Sequence, residues 1–235
     1  MKVTEIMTTL AAKGSDSIKK ILLKHGVKEP FFGVKVEELK KLQKIIKMDY
    51  QLAKDLYATG NADAMYLAGL IADDKKMTKK DLQDWVKNAH SDNISSYTVP
   101  WVAAESNHGY ALSLEWIKSR EPHIAVAGWN TLSAVISLKP DTELDLEQIK
   151  SLLQQVEKEI HTAPNRVRLC MNGFVIATGA YITALTEKAV ATAKKNGVVV
   201  VDMNGTACKV PSAAEYIQKI KDKGSIGKKK KTVKC

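Results

Sequence analysis

Few side chains in this 235-residue chain have a type and spacing that could do chemistry, and Trp101 with Glu105 is the sharpest pair. Four positions apart on a helix, they would share a face. An indole beside a carboxylate suits a developing cation, because the ring face attracts positive charge and the carboxylate stabilises it. The same spacing also suits packing, with Trp101 in a core and Glu105 pairing with a neighbouring helix. A second constellation runs from Asn165 through Arg166 and Arg168 to Asn172. Asn165 follows Pro164 and is placed to cap a helix, which puts both arginines in its first turn, where the helix dipole disfavours cations. An anionic partner is implied. Either a phosphate docks there, for which a helix N-terminus with arginines is a ready site, or acids of an adjacent helix pair with them. Asn172 lies one turn beyond Arg168, beside Gly173, and extends that face. The run Ala127-Gly128-Trp129-Asn130 offers small residues for close helix approach, an aromatic that reads as packing anchor or base contact, and an amide that needs a partner if buried.

Charge is distributed unevenly. The formal net charge is +10, but from Lys219 onward eight lysines face one acid, Asp222, so the C-terminal end carries +7 of it. The body is only mildly basic, and a polyanion site there must come from local clustering. Lys228, Lys229, Lys230 and Lys231 form a phosphate-attracting arm or a disordered solubilising end. Cys170, Cys208 and Cys235 are an odd number without a C-x-x-C spacing, and the five histidines lack ligand spacing. Neither a disulfide framework nor a metal site is indicated, Cys170 is expected in a helix core, and no cofactor is called for. No apolar run reaches the roughly 20 residues that span a bilayer, and the N-terminus lacks an export signal, so a cytoplasmic protein without membrane contact is expected.

The elements that position these residues are helices almost throughout. Leu146, Ile149, Leu153, Val156 and Ile160 fall on one face of a helix beginning after Asp145, a natural N-cap, and similar stripes run through Val36, Leu39, Leu42, Ile46 and through Leu52, Leu56. Each stripe is one-sided and needs covering neighbours. Breakers at short intervals predict about a dozen helices joined by short connections, hence antiparallel neighbours. A paired-helix rhythm of roughly 30–45 residues matches HEAT-like units. The expectation is an all-α solenoid over residues 1–222 with a basic tail over 223–235. One stretch departs from it: four consecutive valines, Val198 to Val201, followed by Asn204-Gly205, predict an extended or hairpin segment near 198–208 that caps the open end of the stack, with a functional loop as the alternative.

Three stretches resemble the AlkD-type DNA alkylation repair proteins: Phe31-Phe32-Gly33-Val34, Ala127-Gly128-Trp129, and Asn165-Arg166-Val167-Arg168 with Met171-Asn172-Gly173-Phe174. The closing Cys208 to Ile217 and the Gly227-Lys228-Lys229-Lys230-Lys231 tail are similar to those of one branch of that family. The resemblance spans essentially the whole chain. It implies a curved solenoid that grips double-stranded DNA, including alkylated DNA. Active members hydrolyse the N-glycosidic bond of N3- and N7-alkylated purines with a carboxylate near the sugar and tryptophans around the lesion, without cofactor or metal. This chain departs from that pattern. Aligned through Val99-Pro100, the carboxylate position falls on Ser96, a tryptophan position on Asp92, a phosphate-binding arginine on Val126 and a later tryptophan on Phe174. No Trp-x-x-x-Asp occurs in the region. Glu105 is then the substitute acid, and Trp101, Trp129, Asn130, Asn165, Arg166, Arg168, Asn172, Phe174 and the four tail lysines are the candidate DNA contacts. The alternative is a non-catalytic module of the same shape holding nucleic acid or a protein partner in its groove.

Overall fold

The one-sided stripes become helices whose apolar faces meet in two layers. In a computed structural model, which describes residues 1–234, thirteen α-helices are joined by short turns: α1 (Val3–Lys13), α2 (Asp16–Lys24), α3 (Val36–Ile46), α4 (Tyr50–Ala58), α5 (Ala62–Ile71), α6 (Lys79–Lys87), α7 (Val99–Glu105), α8 (Gly109–Trp116), α9 (Pro122–Leu138), α10 (Leu146–Glu159), α11 (Asn165–Tyr181), α12 (Thr186–Asn196) and α13 (Ala213–Asp222). The predicted cap forms, Asp145 accepting from the Gln148 amide at 2.9 Å, and Ser212 caps α13 in the same way, accepting from the Glu215 amide at 3.4 Å. No β-strand occurs among the described residues, and no single helix there is long and apolar enough to cross a membrane.

Helices α5, α7, α9 and α11 succeed one another as an inner layer, while α4, α8 and α12 back onto α5, α9 and α11, and α10 packs on α12. Close approach is built in at Gly128, where a Cβ would lie 2.5 Å from the Ile117 amide nitrogen, so α9 and α8 meet backbone to backbone. One apolar cluster is centred on α4 to α7 and a second on α9 to α12, with Trp129 and Phe174 wholly inside the second, ring centroids 5.0 Å apart.

The lysine-rich end is neither a free arm nor disordered. It runs as a strap along one edge of the inner layer. The Gly227 amide donates to Ala180 O at the end of α11 (2.8 Å), and the Lys230 amide to Ser137 O near the end of α9 (2.8 Å). The Val233 amide then donates to the Glu105 carboxylate at the end of α7 (2.8 Å), and Lys234 Nζ to Ala72 O just past α5 (3.1 Å). All four inner helices therefore end on the same edge and run parallel. Their carbonyl ends carry partial negative charge, which favours lysines there. Lys229 Nζ reaches Ile136 O at 3.0 Å and Asp141 at 2.8 Å, Lys234 pairs with Asp74 at 2.8 Å, and Val233 packs against both apolar clusters.

Candidate nucleic-acid interface

The edge opposite the strap gathers the N-terminal ends of the inner helices, and its centre is a turn of π-helix, Ile94–Thr98, leading into α7. Pro100 explains the irregularity. It has no N–H to give the carbonyl four residues back, Ser96 O, and the ladder shifts to a five-residue bond from the Val99 amide to Ile94 O. The orphaned Ser96 carbonyl is met from the next helix by Asn130 Nδ2 at 3.1 Å. Asn130, expected as a nucleic-acid contact, thus has a structural partner. Trp101, 9% exposed, stands edge-on to Tyr66 (centroids 5.4 Å, 84°) and beside Tyr97 (5.9 Å). Tyr97, on the π turn and 54% exposed, is the aromatic presented to solvent.

Between α2, α3, α5 and this turn lies a cavity of about 250 Å³, whose polar lining includes Asp63, Asp92, Asn93 and Arg166. Arg166 Nε reaches Asp92 at 2.9 Å, which resolves the choice left open for the arginines: this one pairs with an acid across the stack. Burial pushes the Asp92 carboxyl above its ordinary value, with Arg166 and then Lys28 pulling it back. Asp92 lies directly over Gly26, whose φ of +78° and absent Cβ make room for it; a Cβ there would be 2.3 Å from the carboxylate. Asp63 holds the Phe32-Gly33-Val34 loop by accepting their three amides at 2.7, 2.9 and 3.3 Å. Its burial raises the carboxyl, and these bonds lower it. Asp92, Asn93, Tyr66, Tyr97 and Asp63 were not singled out from sequence as site residues. Asp92 had entered only as the occupant of an aligned tryptophan position.

The start of α11 binds the 198–208 segment, which is an extended connection with a turn at Asn204-Gly205 rather than a paired hairpin. Asn165 is not the N-cap. Pro164 precedes the helix, and the Asn165 amide bridges Asp202, donating to its carbonyl and accepting from its N–H, both at 2.8 Å. Arg168 Nε donates to Ala163 O at 2.7 Å and Nη1 to Val200 O at 3.3 Å, while Asn172 Nδ2 donates to Pro211 O at 2.9 Å. Two valines of the run, Val198 and Val200, point to solvent. Cys170 on the same helix is buried, its thiol pushed up to about 12 by burial.

Glu105 is not brought to this cavity. It closes α7 at the opposite edge, lines a separate recess with Lys75, Lys230 and Lys231, and accepts from Thr232 Oγ1 as well as the Val233 amide. Trp101 and Glu105 both lie in α7, one turn apart, but the carboxyl end of the helix is claimed by the strap, so Glu105 serves the strap and not the cavity. Trp129 and Phe174, expected at the DNA surface, are 1% and 0% exposed and pack on each other in the core. Lys228, Lys230 and Lys231 remain exposed; Lys230 sits over the Tyr181 ring at 5.7 Å, and Lys229 is ion-paired.

The DNA alkylation repair enzyme family matches residues 6–217. An uncharacterized protein of Listeria innocua is 31% identical and one of Listeria monocytogenes 32%, each over 226 residues, 93% of this chain and 97% of theirs. A solved structure, described as "a new family of proteins related to the HEAT-like repeat DNA glycosylases with affinity for branched DNA structures", superposes with a TM-score of 0.91 at 36% identity, covering the whole of both chains. By fold, by end-to-end likeness and by the family match, this chain is a HEAT-like repeat protein belonging to the DNA alkylation repair enzyme family.

Proposed function

We propose that this protein binds DNA, branched DNA in preference to plain duplex, and holds it without hydrolysing the N-glycosidic bond. The observation that carries the reading is the full-length likeness to a protein with affinity for branched DNA structures. The geometry supports it: the N-terminal ends of parallel inner helices share one edge with Lys28 and Arg168, and helix N-termini beside cations suit phosphates. Excision needs an uncompensated carboxylate at the sugar. Glu105 is bound by the strap, and Ser96 has no charge to offer.

One observation favours a second reading, excision of N3- or N7-alkylated purines. Asp92 is a carboxylate lining the cavity beside Tyr97, though Arg166 compensates it. The test is fluorescence anisotropy with a four-way junction and a matched duplex at two salt concentrations. It is run beside single-turnover release of 7-methylguanine and 3-methyladenine by wild type, Glu105→Gln and Asp92→Asn. Salt-sensitive, junction-preferring binding with no release is expected. Release abolished in Asp92→Asn establishes the second reading, release abolished in Glu105→Gln restores Glu105 as the acid, and absence of binding to any DNA refutes both readings.

A further inference from the structure

The strap sorts its lysines by side. Lys229 and Lys234 turn inward and pair, each at 2.8 Å, with Asp141 and Asp74. Lys228, Lys230 and Lys231 turn outward, exposed, and none of them pairs with an acid among the described residues. Backbone bonds from Gly227, Lys230 and Val233 to the ends of α11, α9 and α7 hold this run in place. The three ammonium groups are therefore presented from a fixed main chain, and a partner that binds them has little backbone left to order. Beside them opens the recess of about 560 Å³ that Glu105 shares with Lys75, Lys139, Glu143, Lys230 and Lys231. Its two carboxylates are already engaged, Glu105 by Thr232 and the Val233 amide, Glu143 by Lys139 at 2.6 Å, and four lysines facing two acids leave it at +2. No large exposed apolar side chain lines the recess, so it lacks the apolar centre of a protein interface and suits a polyanion.

We infer that this edge is a second phosphate-binding surface, which takes one arm of a branched DNA while the N-terminal edge of the inner layer holds another. This rests on the DNA-binding reading. Helices α9 and α11 have 17 residues each, so the two edges stand about 25 Å apart at 1.5 Å per residue. A straight duplex laid along one edge leaves the other empty, whereas arms diverging from a branch point reach both. Junction preference then has a geometric cause: more phosphates are neutralised on one DNA molecule, with no base read.

The test uses the full chain with a four-way junction and a duplex of matched length, the affinity for each being followed across a range of salt concentrations. For wild type the slope of log affinity against log salt is expected to be steeper on the junction by about 2 to 3, at roughly 0.9 per phosphate contact. The triple variant Lys228→Gln, Lys230→Gln, Lys231→Gln keeps Lys229, Lys234 and the backbone bonds. It is expected to lose that excess and to leave the duplex slope unchanged. Lys28→Gln on the opposite edge is expected to lower both slopes alike. If the triple variant melts early by circular dichroism, Lys75→Gln with Lys139→Gln in the recess is expected to lower the junction slope in its place. Equal slopes for wild type on the two DNAs, or a triple variant that folds normally and changes both slopes alike or neither, overturn the inference and leave the DNA reading standing. Failure of wild type to bind any DNA overturns the DNA reading itself.

Discussion

Lys234→Met severs the last fastening of the C-terminal strap, and the structure sets both the size and the pH dependence of the effect. Lys234 Nζ lies 2.8 Å from Asp74, both side chains largely buried, and also donates to Ala72 O. Asp74 is pushed up from 3.8 to about 6 by burial, even though Lys234 pulls it down. A shift of about two units corresponds to roughly 3 kcal/mol at 1.36 kcal/mol per unit. The folded carboxyl holds its proton more tightly than the unfolded one, so Asp74's contribution to stability is full below about pH 4 and is lost as pH rises through about 6. Without Lys234, ionising Asp74 costs more still, and detachment of the last residues to let water in competes with that cost. At pH 8 the expected loss is about 2 kcal/mol, a fall in Tm of roughly 4–8 °C for a chain of this size. At pH 5 Asp74 is protonated in both proteins and most of the difference disappears. Thermal melts at the two pH values read this directly, and hydrogen exchange at the Val233 amide, which bonds Glu105, should accelerate at pH 8. Asp74→Asn combined with Lys234→Met should recover much of the loss. An equal Tm decrease at pH 5 and pH 8, or none at either, would refute the reasoning.

Three further outcomes follow from other contacts. Glu157 accepts from Lys188 and Lys195 at 2.9 Å and Thr192 at 2.7 Å, and these bonds, Lys188 foremost, hold its carboxyl down at about 2. Because that pKa is depressed, Glu157 stabilises above about pH 4.5 and loses its contribution as pH falls towards 2; Glu157→Gln should therefore be less stable at pH 7 by up to about 3 kcal/mol and converge with wild type in acid melts. Asn130→Ala strands the Ser96 carbonyl at the π turn and should cost about 1–3 kcal/mol by urea titration, with no change if that carbonyl is instead hydrated. Asp63→Asn replaces one of the two acceptor oxygens that gather three loop amides with an NH2 group and should destabilise by about 2 kcal/mol, seen as faster exchange at Phe32, Gly33 and Val34.

The pattern of apolar residues was enough to determine the helices. A stripe such as Leu146 to Ile160 can bury itself in only one way, and its cap Asp145 and the breakers around it are local signals that need no tertiary context. The family, too, was legible, because short motifs such as Phe32-Gly33-Val34 answer to local demands: Gly33 has φ +80° and no space for a Cβ. The site was not legible in the same way. Which acid meets Arg166 depends on α11 lying across the stack from the π turn, and nothing near either residue announces that pairing. Trp129 and Phe174 carry the residue types of a DNA contact, yet the close approach at Gly128 sinks α9 into the core and takes the indole with it. Local composition also misled at the C-terminus, where a lysine run reads as a solvated arm. Four parallel helices ending on one edge make a row of partial negative charges, reinforced by Asp74, Glu105 and Asp141, and only the assembled layer presents that row to the tail.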